Sequence, residues 1–164
     1  MVQARCRSML REIPSVRFWY AGALIGLLDG AFVIALYAGV LKVATVTQVL
    51  QSIAAAFLGG AAYRGGIASA ALGIGTHVCV AFGWTLAYAI LWTAGAPLRE
   101  LTRSTAGVLV VGTVFGCCVW LIMDLLLVPL TRARATPPAS SVFFVMLAWH
   151  ALGVGWPIAI MLRR

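Results

Sequence analysis

Charge is what this sequence has least of. Of its 164 residues only 10% are charged, against 63% hydrophobic, and the mean hydropathy is +1.02. A soluble domain carries about a quarter charged residues. A chain this short, with so few charges, cannot cover a water-facing surface, and it suits a single membrane domain, 1–164. Cysteine is scarce too, with four in all. Cys6 sits in the basic amino-terminal tail, and Cys79, Cys117 and Cys118 sit in apolar stretches. No Cys-x-x-Cys occurs, so neither a disulfide framework, a zinc site nor a redox pair is signalled. Cysteine inside a helix behaves as a small apolar residue. A catalytic nucleophile is missing as well. Ser69 and Ser104 have no convergent base, and the polar loops are too short to build a cleft. The expectation is a protein that is not an enzyme, with no catalytic residue, no cofactor and no metal.

The charges that do occur fall in groups. None lies between Arg64 and Arg99, or between Arg134 and Arg163. Only Asp29 interrupts the stretch from Arg17 to Lys42, and only Asp124 the stretch from Arg103 to Arg132. Each gap exceeds the roughly 20 apolar residues that cross a bilayer core. Four spanning helices are expected, at about 18–41, 67–94, 105–130 and 142–162. The first follows a basic region but is too long for a cleavable signal and carries Asp29 at its centre, so it reads as a retained span. The net charge of +8 comes from arginines and a lysine at span ends, where they meet water and headgroups. Nucleic acid is therefore not an expected partner; the lipid bilayer is, and a homo-oligomer or a larger membrane complex stays open.

Segment 43–63 is uncharged but different. Thr45, Thr47, Gln48, Gln51 and Ser52 lie opposite a stripe of Val46, Val49, Leu50, Ile53, Phe57 and Leu58. That pattern predicts an amphipathic helix at the outer face, at about 45–63, rather than a fifth span. The positive-inside rule agrees. With four spans, Arg5, Arg7, Arg11, Arg17, Arg99, Arg103, Arg163 and Arg164 face inward, against Lys42, Arg64, Arg132 and Arg134, which is eight to four. A fifth span would reduce this to seven against five. The expected fold is an all-α membrane protein: an antiparallel four-helix bundle with one interfacial helix and both termini cytoplasmic.

Small residues recur four apart at Gly22, Gly26 and Gly30, at Ser69 and Gly73, and at Gly112 and Gly116. Such stripes let helix backbones approach closely in lipid. Pro157 should bend the last helix and free the carbonyl of Gly153.

Asp29, His77, Asp124 and His150 are the Asp, Glu, Lys, Arg and His residues found inside the spans. Helix rise places all four between the bilayer midplane and its outer surface. A charge at mid-bilayer costs at least about 2.5 kcal/mol, so these residues should face the interior and find partners. One central cluster is expected. Its preferred use is structural, as Asp–His hydrogen bonds that fix helix register. The alternatives are a proton or ion path, since histidine titrates near neutral pH, and a haem held by His77 and His150 as axial ligands.

The run Gly75-Thr76-His77, the ending Val128-Pro129-Leu130, the motif Thr136-Pro137-Pro138 and the last helix with His150 resemble the YagU-like small inner-membrane proteins of bacteria. The resemblance spans about the carboxy-terminal hundred residues. It implies a multi-pass protein of the bacterial inner membrane with no assigned molecular activity, and it carries over His77 and His150. Segment 43–63 stands where the best-known member has a long soluble insertion.

Overall fold

A computed structural model describes residues 15–163, with the side chains from Val16 onward. Among these residues every element is helical. The helices are α1 (Ser15–Ile34), α2 (Val46–Leu58), α3 (Gly66–Ala94), the short α4 (Ala96–Leu101), α5 (Thr105–Ile122), α6 (Ser141–Trp149) and α7 (Trp156–Leu162). Wide π turns extend α1 over Ala35–Val40 and α5 over Met123–Leu127, and join α6 to α7 over His150–Gly155. Tighter 3-10 turns follow α2 (Gly59–Arg64) and α5 (Val128–Leu130).

Five helical stretches among the described residues are long and apolar enough to cross a membrane: Val16–Val40, Val46–Arg64, Gly66–Ala94, Thr105–Leu130 and Ser141–Leu162. Their outer surfaces are apolar. Ile67, Leu27, Val110 and Val114 are all more than half exposed. A helix apolar on all sides belongs in a core or in lipid, and an apolar exterior this extensive marks a lipid-facing bundle.

Local sequence sets the helix ends. Thr45 and Gln48 form a capping box at the start of α2: Gln48 N–H donates to Thr45 Oγ1 at 3.2 Å, and Thr45 N–H to Gln48 Oε1 at 2.8 Å. Ser104 and Ser140 cap α5 and α6 through the amides of Gly107 and Phe143. The two wide turns at Met123–Leu127 and His150–Gly155 each end two residues before a proline, Pro129 and Pro157. Proline donates no N–H and its ring pushes on the carbonyl one turn back, which loosens the turn before it. The last helix is thus widened just ahead of Pro157.

The glycines mark where helices touch. A Cβ on Gly22, Gly26 or Gly30 would meet Phe82, Ala81 or His77 of α3. One on Gly73 would strike the Leu50 backbone of α2. One on Gly112 or Gly116 would strike the backbone of the last helix, at Gly155 and His150. All six sequence-predicted packing glycines lie at such contacts. Between them sits an apolar core of Ala21, Ile25, Tyr88, Val108, Val154 and Ile158, each no more than 5% exposed. This core fills the end where Arg17 Nη1 donates to the carbonyl of Arg163.

Helix α2 buries only part of its predicted stripe: Val49 packs inward and Leu50 and Ile53 are half-buried, while Thr45, Thr47, Gln48 and Ser52 stay exposed. Its buried residues are Val49, Gln51, Ala54 and Ala55, while Val46, Phe57 and Leu58 are exposed. It meets α3 near that helix's start. Gln51 Nε2 donates to the Gly66 carbonyl and to Ser69 Oγ, and Ser69 Oγ donates to the Ala62 carbonyl at 2.6 Å. Arg132 N–H donates to the Ala56 carbonyl. So α2 is tied to one end of the bundle, where the connections 59–66 and 131–140 lie.

Gly116→Ala should overpack the contact with the last helix and destabilise the protein by about 1–3 kcal/mol. Gly83→Ala, where an added Cβ meets nothing within 4 Å, should be neutral or mildly stabilising. Thermal melts in detergent distinguish the two; equal melting points would contradict the close crossing.

Candidate functional site

The four intramembrane ionisable residues take three sets of partners. Asp29, on α1, reaches the last helix. Trp149 Nε1 donates to Asp29 Oδ1 at 3.0 Å. The Trp149 ring is held for this bond by Phe32, one turn beyond Asp29 (3 residues on), with centroids 4.0 Å apart and planes 5° from parallel. His150 Nε2 lies 3.9 Å from the same Asp29 oxygen. His150 is buried, and its ring lies 4.9 Å from that of Trp120 on α5. Its Nδ1 donates to the Met146 carbonyl at 2.8 Å. A carbonyl only accepts, so this bond fixes which nitrogen carries the hydrogen in the neutral ring. The Nε2 lone pair then faces a carboxylate oxygen.

His77 takes a different partner. Its Nε2 donates to the Gly26 carbonyl at 2.9 Å, across the contact of α3 with α1. Gly30 leaves room for the imidazole against the α1 backbone, and Gly26 for Ala81 one turn further along α3, so the small-residue stripe seats the histidine. His77 thus lies against the same stretch of α1 that carries Asp29, but bonds to backbone.

Asp124 stands in the wide turn that ends α5 and is 4% exposed. Its Oδ1 accepts from the Thr136 N–H at 2.9 Å, and Tyr37 sits beside both. Its Oδ2 has no hydrogen-bond partner among the described residues, and neither has Trp120 Nε1, one turn earlier. The structure therefore sets His150 beside Asp29 at 3.9 Å without a hydrogen bond between them, and places His77 and Asp124 in separate ties, so the expected single cluster of Asp–His hydrogen bonds is replaced by bonds to Trp149 and to backbone.

Sequence reasoning did not anticipate Trp149, Trp120, Tyr37 or Thr136 in this region. A buried indole needs an acceptor for its N–H, and that rule could have flagged Trp149 beside His150. The Gln51–Ser69 junction was also unanticipated. For a haem between His77 and His150, Nε2 of His77 is occupied by Gly26, and His150 is packed against Trp120. No group of three or more His, Cys, Asp and Glu that could hold a metal occurs among the described residues. No family model, curated protein or solved structure matches the chain.

Trp149→Phe and Asp29→Ala remove opposite partners of one bond. Each should destabilise the protein, and the double mutant should fall short of the sum by about 0.6–1.7 kcal/mol, the coupling of interhelical hydrogen bonds in lipid. Strict additivity in a double-mutant cycle would show that the two side chains do not act together.

Proposed function

We propose that this chain is an integral membrane protein with a structural or accessory role, built as an antiparallel bundle of four spanning helices. The observation that carries this reading is the use made of the intramembrane polar groups. Asp29 ties α1 to the last helix, His77 ties α3 to α1, and Asp124 ties the end of α5 to the connection that follows. Groups that are costly in lipid here fix which helices neighbour which.

The antiparallel order draws support from the paired residues. Gly22, Gly26 and Gly30 meet Phe82, Ala81 and His77 in reversed sequence, and Gly112 and Gly116 meet Gly155 and His150 likewise. Helix α2 is proposed to lie at the outer surface, because its hydrogen bonds gather at one end of the bundle. The charge bias supports cytoplasmic termini, and a bacterial inner membrane is what the resemblance to the YagU-like proteins implies. Such a protein acts through the bilayer and through neighbouring subunits, either a second copy or other members of a complex.

A second reading, a small proton- or ion-conducting protein using Asp29, His77, Asp124 and His150, rests on the Asp29–His150 pair within the bundle. The apolar core between that pair and the Arg17–Arg163 end weighs against full conduction. The haem-binding reading has less support, given the partners of both histidines.

Under the structural reading, His77→Gln lowers the melting temperature in detergent, and liposomes holding wild type or His77→Ala, loaded with a pH dye, leak protons no faster than empty ones. A leak that wild type shows and His77→Ala loses would favour conduction instead.

A further inference from the structure

Trp120 Nε1 and Asp124 Oδ2 are both buried and both lack a hydrogen-bond partner among the described residues. Their residues are 8% and 4% exposed. They stand four residues apart, Trp120 in the last turn of α5 and Asp124 in the wide turn that follows it. One is a donor short of an acceptor, the other an acceptor short of a donor. A water molecule is both, and buried water typically sits where such groups converge. Trp120 also packs on His150, and Asp124 also accepts from Thr136, a partly exposed residue of the 131–140 connection. Polar groups thus run from that connection toward the middle of the bundle.

Where they end, two acceptors face each other. His150 Nδ1 donates to Met146, so the neutral ring turns the Nε2 lone pair toward Asp29 Oδ1 at 3.9 Å. A proton placed on Nε2 turns this opposed pair into an ion pair. The other ionisable side chains nearby are accounted for. His77 is bonded to the Gly26 carbonyl on α1, Cys117 follows the Gly116 contact on α5, and Tyr37 sits beside Asp124. Beyond the pair, toward the Arg17–Arg163 end, Ile25, Val108, Val154, Ile158 and the ring of Tyr88 close the interior, with the Tyr88 hydroxyl buried there without a partner among the described residues.

We propose that Asp29 and His150 form a proton-binding site that exchanges with water only at the Thr136 end of the bundle, by way of Asp124 and a water held between Asp124 Oδ2 and Trp120 Nε1. The ligand is a proton delivered by hydronium. Asp124 Oδ2 takes it and passes it on through the held water. The N–H bond forms at His150 Nε2, bulk water is left behind, and the imidazolium pairs with the Asp29 carboxylate. No heavy-atom bond changes and nothing is oxidised. This inference stands apart from the structural reading, since a tie between helices need not titrate.

The test uses the stacking of Trp120 on His150, because an imidazolium against an indole quenches its fluorescence. The full chain is reconstituted in random orientation in phosphatidylcholine–phosphatidylglycerol vesicles. Only the external solution is stepped from about pH 8 to about pH 5, across the histidine range. The expected result is a rapid quench of about half the full amplitude, set by random orientation, with the remainder appearing when a proton ionophore acidifies the lumen. His150→Gln abolishes both phases. Asp124→Asn, which keeps the shape of the side chain, slows the first phase roughly tenfold or more with an unchanged end point. Full amplitude on external acidification alone would show access from both sides and overturn the proposal. So would a quench that survives His150→Gln, no quench at all, or an unchanged rate in Asp124→Asn. The amplitude measurement needs only wild type, so misfolding of a variant does not shelter the proposal.

Discussion

Hydrocarbon offers no water to a polar group, and the rest of this structure depends on that constraint. A helix satisfies its own backbone, so the outer surfaces can be Leu, Val and Ile without penalty. Side-chain polar atoms bond back to their own helix or reach a neighbouring one, and among the described residues the buried Tyr88 hydroxyl, Trp120 Nε1 and Asp124 Oδ2 do neither. Thr85 bonds back to the Ala81 carbonyl, Trp156 reaches Thr113, His77 reaches Gly26, and Trp149 reaches Asp29. The last three cross between segments, and each selects a particular neighbour. Apolar packing alone does not, because lipid tails compete with Leu and Val on equal terms. Glycine supplies the complementary element. Where Gly112 and Gly116 meet the last helix, backbone lies on backbone, and the polar ties work at the short range this permits.

Proline shapes the polar region indirectly. Pro129 and Pro157 stand beyond the wide turns that contain Asp124 and His150. A wide turn rotates the residues within it away from regular α-helical positions. Asp124 is thereby able to face Thr136 of the following connection, and His150 bonds back to Met146 with its Nε2 toward Asp29. The half of the bundle that holds the ionisable groups is also the half with irregular helices, whereas the half toward Arg17 and Arg163 is regular, small-residue and apolar.

Much of the helical plan could be read from the sequence. Gaps in charge gave long apolar helices within a few residues of where they lie, because a charged residue in lipid is expensive enough to leave a visible pattern. The four-apart glycines could be read for the same reason, since close approach has few chemical solutions. The partners of the polar residues could not be read. Gly26 and Thr136 contribute main-chain atoms, which carry no side-chain signature. Trp149 reads as one more aromatic until a fold brings it to Asp29. The orientation of α2 was hidden too. Of the expected stripe Val49 packs inward but Val46 and Phe57 point outward, while Gln51, Ala54 and Ala55 pack inward beside Val49. In a membrane, apolar character does not by itself mean burial in protein.

The exposed apolar surface of this bundle faces lipid, and its intramembrane polar groups turn inward. Nitroxide labels at Leu27, Val114 and Leu152, which are 70%, 58% and 48% exposed, test it directly in reconstituted bilayers. The account predicts frequent collisions with dissolved oxygen and few with a water-soluble nickel chelate at all three sites. Dominant collisions with the nickel chelate would place these faces in water and contradict it.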